Sequence, residues 1–401
     1  MRVLILAQYY PPDMGGGATR AYNAAKGLLS VGCSVTVVAA FPHYPTGKIP
    51  EKYRWKPLRI ESKEKLRVIR TFVPPLASEG LAKRVLLFAS FIVSSLFALP
   101  FTGKVDIIWT ANPNILGVFP SLIYKVANRC KIVQNVDDLW PEALYDLGLD
   151  PKSLLARFGE FVARIAYKVS SGITPISPAY VDVLLRKYGV DQKKIFVVLA
   201  GVDANKFHLR RKNVKRERFR VLYIGAFSPA YDFDQVFKAA ESLTLKKVDF
   251  IIQGGGELAY ELRRKQKENA LANVEVIENI VSRDEVIEIM AEADALLLPL
   301  NGVGSIEKGI SSKLYEYQAA EKPIICCSNG QPGRYVTESR SGLVVKPGDF
   351  QMLAESILCL MENPSFAREL GSSGRRYVLD NLTIKQTGVA IMQAFNKIWT
   401  N

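Results

Sequence analysis

A chain of 401 residues, 48% apolar and 23% charged, is too long for one ordinary core and too apolar for disorder, so it fits two ordered domains with a cleft between them. Its five cysteines have no CxxC spacing and read as reduced core residues, while His43 and His208 are its only histidines, too few for a histidine zinc site or a histidine-driven triad. The net charge of +14 is concentrated early, residues 1–130 carrying 17 Lys or Arg against 6 Asp or Glu.

In chain order, "RVLILA" begins at residue 2 as a buried strand, with no charged leader and small-residue cleavage site before it, so the expected location is cytoplasmic. The loop "AQYYPPDMGGGATRAYNAAKGL" leads from that strand into a helix. Gly15, Gly16 and Gly17 let backbone approach a ligand closely, and a helix amino end behind them favours an anion. It is not GxGxxG, and "SVTVVAAFPHYPTG" offers no acid for a ribose after the second strand, which argues against a nicotinamide enzyme.

"RVIRTFV" is a third strand. "AKRVLLFASFIVSSLFALPF", 82–101, then holds 17 uncharged residues from Val85 to Phe101. That is short of the ~20 that span a bilayer. It reads either as a buried crossover helix or as a helix lying on an anionic membrane surface, with Lys83 and Arg84 at its margin.

"VDIIWT", "KIVQNV" and "GITPI" complete the first set of strands. All are apolar almost throughout, as in parallel sheets covered on both faces. After "KIVQNV" comes "DDLWPE": one of the carboxylates of Asp137 and Asp138, straight off the strand, could accept a proton from, or hydrogen-bond, an incoming hydroxyl, and Trp140 suits a sugar face. The competing reading is an aspartate capping a helix that begins at Pro141.

Residues 199–219, "LAGVDANKFHLRRKNVKRERF", are polar, basic and aperiodic, and read as the linker. Alternation then restarts with "RVLYIGA", "VDFIIQGG", "VEVIENI", "ALLLPL", "PIICC" and "GLVV". Two successive doubly wound Rossmann-like α/β units follow from this, 1–200 and 201–383, with a helical 384–401 crossing back to the first. Asp232 and Asp234 make a DxD that could hold a metal on a diphosphate, but their place at a helix start favours N-capping. Gly254, Gly255 and Gly256 mark another strand-to-helix turn.

The loop "PLNGVGSIEKGISSKLYEYQAAEKPII" ends in a helix started by Ser311 or Ser312. Free N–H groups there and the helix dipole bind phosphate oxygens. Lys313 adds a point charge, and Glu316, one turn on, could take two ribose hydroxyls. The plainer account is a Lys/Glu surface pair worth a few tenths of a kcal/mol.

Taken together, "QYYPPDMGGGATR", "FPHYPTGK", "DLWPE", "AGVDANKF", "GGGEL", "ADALLLPL" and "SSKLYEYQAAEKPII" resemble the family 4 retaining glycosyltransferases of GT-B fold. Within that family the chain is most similar to bacterial and archaeal enzymes of lipid-linked polysaccharide (O-antigen, capsule) synthesis. The resemblance covers nearly the whole chain and implies a metal-independent hexosyltransferase with no cofactor. It further implies a nucleotide-sugar donor, a UDP-sugar ahead of a GDP-sugar, on the second domain.

Glu316 and Glu307 would face the donor, with Lys313, Gly309, Ile310, Ser311, Ser312, Gly225 and Gly255 near its diphosphate. Gly16, Gly17, Arg20 and Trp140 would line the acceptor side, Asp138 would meet the acceptor hydroxyl, and the acceptor would be a polyprenyl pyrophosphate-linked glycan. The implied setting is peripheral, at the inner face of the cell membrane, reached through 82–101. Nucleic acid is not an expected partner, since the basic residues show no aromatic interleaving or reader motif.

The chain departs from the family in three places. Ala226 and Tyr231 stand where many members have an Arg and Lys clamp. Glu307 and Glu316 are nine positions apart instead of eight. Glu321 replaces the glycine of "AAGKP"; positive φ costs a non-glycine residue ~1 kcal/mol or more, so this helix is expected to end differently. A nucleotide-sugar 2-epimerase shares the architecture but wants more histidine. A non-catalytic membrane-associated subunit would account for the missing clamp.

Overall fold

The computed structural model describes the chain apart from residues 45, 55, 77–79, 112–114, 147, 208–216 and 401. His208 and the middle of the expected linker lie outside the described residues. The chain divides into two compact units, Met1–Gly201 with Ile384–Asn401, and Val202–Thr383.

The first unit is built on seven strands: β1 (Arg2–Leu6), β2 (Ser34–Ala40), β3 (Leu58–Lys63), β4 (Leu66–Thr71), β5 (Ile107–Thr110), β6 (Lys131–Val136) and β7 (Gly172–Pro175). Their order is β3-β4-β2-β1-β5-β6-β7. All neighbours run parallel except β3 and β4. Because side chains alternate along a strand, β1 sends Val3 and Ile5 to one layer and Leu4 and Leu6 to the other. The first layer is closed by helices Gly16–Ser30 and Ile384–Thr400, the second by Leu81–Leu96 and Val118–Asn128.

The two helices of the first layer touch backbone to backbone: a Cβ on Gly27 would lie 2.6 Å from the Ile384 carbonyl oxygen and 2.8 Å from the Gly388 nitrogen. Only glycine permits that approach, and it lets Ile391, Phe395 and Ile398 reach the sheet.

Helix Leu81–Leu96 is buried along one side only. Leu87 and Phe91 are buried in the layer beside β1 and β5. On its outer side Val85, Leu86 and Val93 stay exposed, as do Phe97 and Phe101 just beyond it. Among the described residues no helix is long and apolar enough to cross a membrane.

The second unit has six strands, all parallel: β8 (Phe219–Ala226), β9 (Val248–Gly255), β10 (Val274–Glu278), β11 (Ala295–Pro299), β12 (Ile324–Cys327) and β13 (Gly342–Val345). The order β10-β9-β8-β11-β12-β13 reverses between β8 and β11. Such a reversal opens a crevice at the carboxyl ends of the two strands, where ligands bind in open α/β sheets.

One expectation is overturned. Glu321 does take the left-handed conformation, with φ 56°, directly after helix Ser312–Ala319 and its Ala320 cap. Helix Pro364–Asn381 holds it there. Ser372 donates to Glu321 Oε1 at 3.0 Å, Arg375 donates to the Ala319 carbonyl, and Gly371 leaves room for the Glu321 carbonyl. Tertiary contacts thus outweigh a local cost of ~1 kcal/mol. Glu321→Gly and Glu321→Ala both lose the Ser372 bond, but only glycine relieves the backbone. The glycine variant should therefore melt about 2–4 °C above the alanine variant; equal melting temperatures would show that the turn is unstrained.

Candidate functional site

In the second unit the crevice residues come from β8, β11 and helix Ser312–Ala319. Ser311 caps that helix, its Oγ accepting from the Lys313 N–H at 3.4 Å. Ile310 is buried, and the Gly309 N–H bonds the Ser305 carbonyl at 3.1 Å, closing the loop before the helix. The Lys313 side chain crosses to the end of β8 and lies on Gly225, where a Cβ would overlap its ammonium. Gly225 has φ 144°, a conformation and a clearance that only glycine supplies.

The ammonium donates to the Tyr231 hydroxyl at 3.3 Å. It also stands 5.1 Å from the Tyr231 ring centre and 5.6 Å from that of Tyr223. Gly255 sits one strand away, close to Ile280.

Glu316 is 13% exposed and paired with Arg283, Oε1 to Nη2 at 2.5 Å. Arg283 is a partner that sequence reasoning missed. Its signal was the capping box of Ser282 and Glu285, which starts a helix at Arg283 and frees that side chain to reach sideways. Glu307 is anchored, Oε2 accepting from Ser328 at 2.7 Å and its carbonyl from the Gln331 N–H at 2.7 Å. Its Oε1 is buried without a hydrogen-bond partner, as a group awaiting a ligand would be.

Asp232 accepts from the N–H groups of Asp234 and Gln235 at 2.9 and 3.2 Å, which is the capping use of the DxD. Among the described residues no group of three or more His, Cys, Asp or Glu could hold a metal ion.

In the first unit, Gly15 at φ 109° caps helix Gly16–Ser30, so Gly16 and Gly17 form its first turn instead of preceding it. Arg20, expected to face an acceptor, is turned inward and only 5% exposed. Its guanidinium meets Asn135 Oδ1 at 3.0 Å, the Val198 carbonyl at 2.8 Å and Asp137 Oδ1 at 3.1 Å. Asn135 also donates to Asp137 at 2.8 Å. Arg20 therefore fixes the "VDD" turn after β6 by a buried, charge-assisted network.

That network uses Asp137, and the adjacent Asp138 projects outward. The protein mass around it and, secondly, the Asp137 charge push its pKa up to about 6, an upper bound because the side chain is exposed and water screens both effects. Asp137 is raised too, by burial, with Arg20 pulling it back. A carboxylate titrating near neutrality at a strand end is suited to accept a proton.

Trp140 is more structural than a sugar platform requires. Its ring packs edge-on against Phe88 at 6.0 Å, beside the cluster around Leu139 and Val162. The short helix Glu142–Tyr145 starts at Pro141, whose own side chain provides no cap.

Two family models match. Residues 14–206 fit "Glycosyltransferase Family 4" and residues 205–377 fit "Glycosyl transferases group 1". The O-antigen chain mannosyltransferase C of Escherichia coli is 24% identical over 387 residues, covering 94% of this chain and 93% of its own.

Among solved structures, sucrose-phosphate synthase from Thermosynechococcus elongatus superposes with a TM-score of 0.78 at 16% identity, over 100% of this chain and 99% of that one. Anabaena Alr3699/HepE in complex with UDP and glucose does so with a TM-score of 0.70 at 16% identity, over 99% of each. The crevice at the β8–β11 reversal, the two parallel-sheet units and two family models that between them run from residue 14 to residue 377 give one answer: the chain belongs to the family 4 glycosyltransferases, with the GT-B fold.

Proposed function

We propose that this glycosyltransferase moves a hexose from a nucleotide diphosphate-sugar, a UDP-sugar ahead of a GDP-sugar, to a polyprenyl pyrophosphate-linked glycan during polysaccharide synthesis. The observation that carries the donor half is the Lys313 ammonium held on Gly225 at the carboxyl end of β8, with Glu316 one turn along the same helix. Lys313 and the capped start of its helix would face the diphosphate, and Glu316 the ribose. The relative named for O-antigen mannosyl transfer supports the polysaccharide setting.

In this reading the bond from the anomeric carbon to the diphosphate oxygen breaks as the acceptor oxygen bonds the same face, which retains the anomeric configuration. The acceptor proton passes to the departing phosphate. Lys313 meets the charge that develops there, and Asp138 hydrogen-bonds the acceptor hydroxyl and orients it. Charge stabilisation by these groups requires no metal.

Peripheral binding at the inner face of the membrane is supported by the exposed outer side of helix Leu81–Leu96 in the most basic part of the chain. Helix Leu154–Val169 adds a second such face: Leu154, Phe158 and Phe161 are exposed, with Arg157, Arg164 and Lys168 exposed beside them. Apolar anchors among cations suit an anionic leaflet.

A panel of UDP- and GDP-sugars tests the proposal, with donor hydrolysis and nucleotide-induced thermal shift as readouts, repeated in EDTA. Activity with at least one donor, unchanged by EDTA, is the expected result. No hydrolysis and no shift with UDP or GDP would sink it, and loss in EDTA would remove the metal-free mechanism.

A further inference from the structure

From Ala226, the last residue of β8, to Phe233 the chain carries no lysine or arginine, so the strand end that opens on the crevice has no cation of its own. The charge there arrives from the neighbouring helix, as Lys313, and two tyrosines receive it. Tyr231 accepts a hydrogen bond from Nζ and presents its ring at 5.1 Å, and Tyr223 presents a second ring at 5.6 Å. The rings meet edge to face at 5.1 Å, so they form one pre-set cage.

Backbone bonds fix the cage. The Asp232 N–H donates to the Pro299 carbonyl at 2.8 Å and the Asn301 N–H to the Ala230 carbonyl at 3.0 Å, tying Tyr231 to the end of β11. Tyr223 is buried and donates to the Ala226 carbonyl. A lysine side chain otherwise loses much rotamer freedom when it is fixed on a phosphate. Here that freedom is already restricted before a ligand arrives, the two ring faces holding the ammonium in place.

We propose that Tyr231, with Tyr223 behind it, is a positioning residue for the donor: it holds the Lys313 ammonium at the end of β8, so that one caged lysine carries the positive charge on the diphosphate. The inference rests on the donor reading of Lys313 given above. It adds that the aromatic cage, acting through Lys313, sets donor affinity.

A double-mutant cycle tests it, with UDP and GDP as titrants in calorimetry on the full chain. Tyr231→Leu should weaken nucleotide binding roughly tenfold, and Tyr231→Phe, which keeps the ring, about threefold. In a Lys313→Met background neither change should weaken binding further, since their only route to the ligand is the lysine. Equal losses in both backgrounds would overturn the cage, because a general structural effect adds. Tyr231→Phe, the more conservative change, supplies the same comparison if Tyr231→Leu does not fold. Wild-type protein that binds neither nucleotide would defeat the donor reading itself, and the cage with it; binding with an additive cycle would defeat the cage alone.

Discussion

Lys313→Met should lower kcat/KM for the nucleotide-sugar donor by about 10²–10³-fold, the usual cost of removing one pre-organised charge from a departing oxyanion. Methionine is close in length and apolar, so it can lie on Gly225 between the two tyrosines as the lysine stem does. The melting temperature should therefore change little. Steady-state kinetics with a donor-hydrolysis readout checks the rate, and a thermal melt checks the fold. An unchanged rate would remove Lys313 from the chemistry, and a wild type with no measurable rate would point to a non-catalytic member of the family that keeps the architecture.

Asp138→Asn is the second large effect. Asparagine lacks the charged oxygen that hydrogen-bonds the acceptor hydroxyl and orients it toward the anomeric carbon, so kcat should fall by about 10²-fold. Stability should move the other way. A carboxyl whose folded pKa is raised to about 6 is ionised in the native state at neutral pH against its environment. The unfolded chain, near 3.9, has no such resistance. The destabilisation is present above the folded pKa and fades as pH falls through it toward the unfolded value.

The variant should consequently melt no lower than wild type at pH 7.5, and its advantage should vanish by about pH 4. Wild-type turnover should fall on the acid side of about pH 6, where Asp138 takes up its proton. Melts at several pH values and a pH–rate profile measure both. A variant that melts well below wild type at pH 7.5 would assign Asp138 a structural role.

The parallel strands could be read from the sequence because each is a short β-branched run with polar residues at its ends, buried on both faces. β3 escaped that reading for the opposite reason. "LRIESK" is charged along its length and lies antiparallel at the sheet edge, where cations and acids suit an unpaired side. The Ser311–Glu316 grip was legible because its parts lie within one helical turn or two.

What sequence could not show is what distant segments do to one another. Arg20 and Asp137 meet only once β1, β5 and β6 lie side by side, and Arg283 reaches Glu316 across 33 positions. The one local hint of the first contact was polar Gln134 and Asn135 inside an apolar strand. Tyr231 read as a missing cation and is instead the residue that holds one. Glu321 read as incompatible with a left-handed turn, and a neighbouring helix supplies what glycine would have.

The Gly27–Gly388 crossing carries a consequence for how the protein is made. Helix Ile384–Thr400 completes a layer against β1, β2 and β5, yet the ribosome delivers it only after all of residues 202–383. Until then a nascent first unit shows Ala24, Ala25, Leu28 and the inner sheet face to solvent or to a chaperone. The second unit, an insertion that finishes within its own stretch of sequence, can mature first. The half of the protein that is translated earliest therefore cannot close its layer until that late helix has been made.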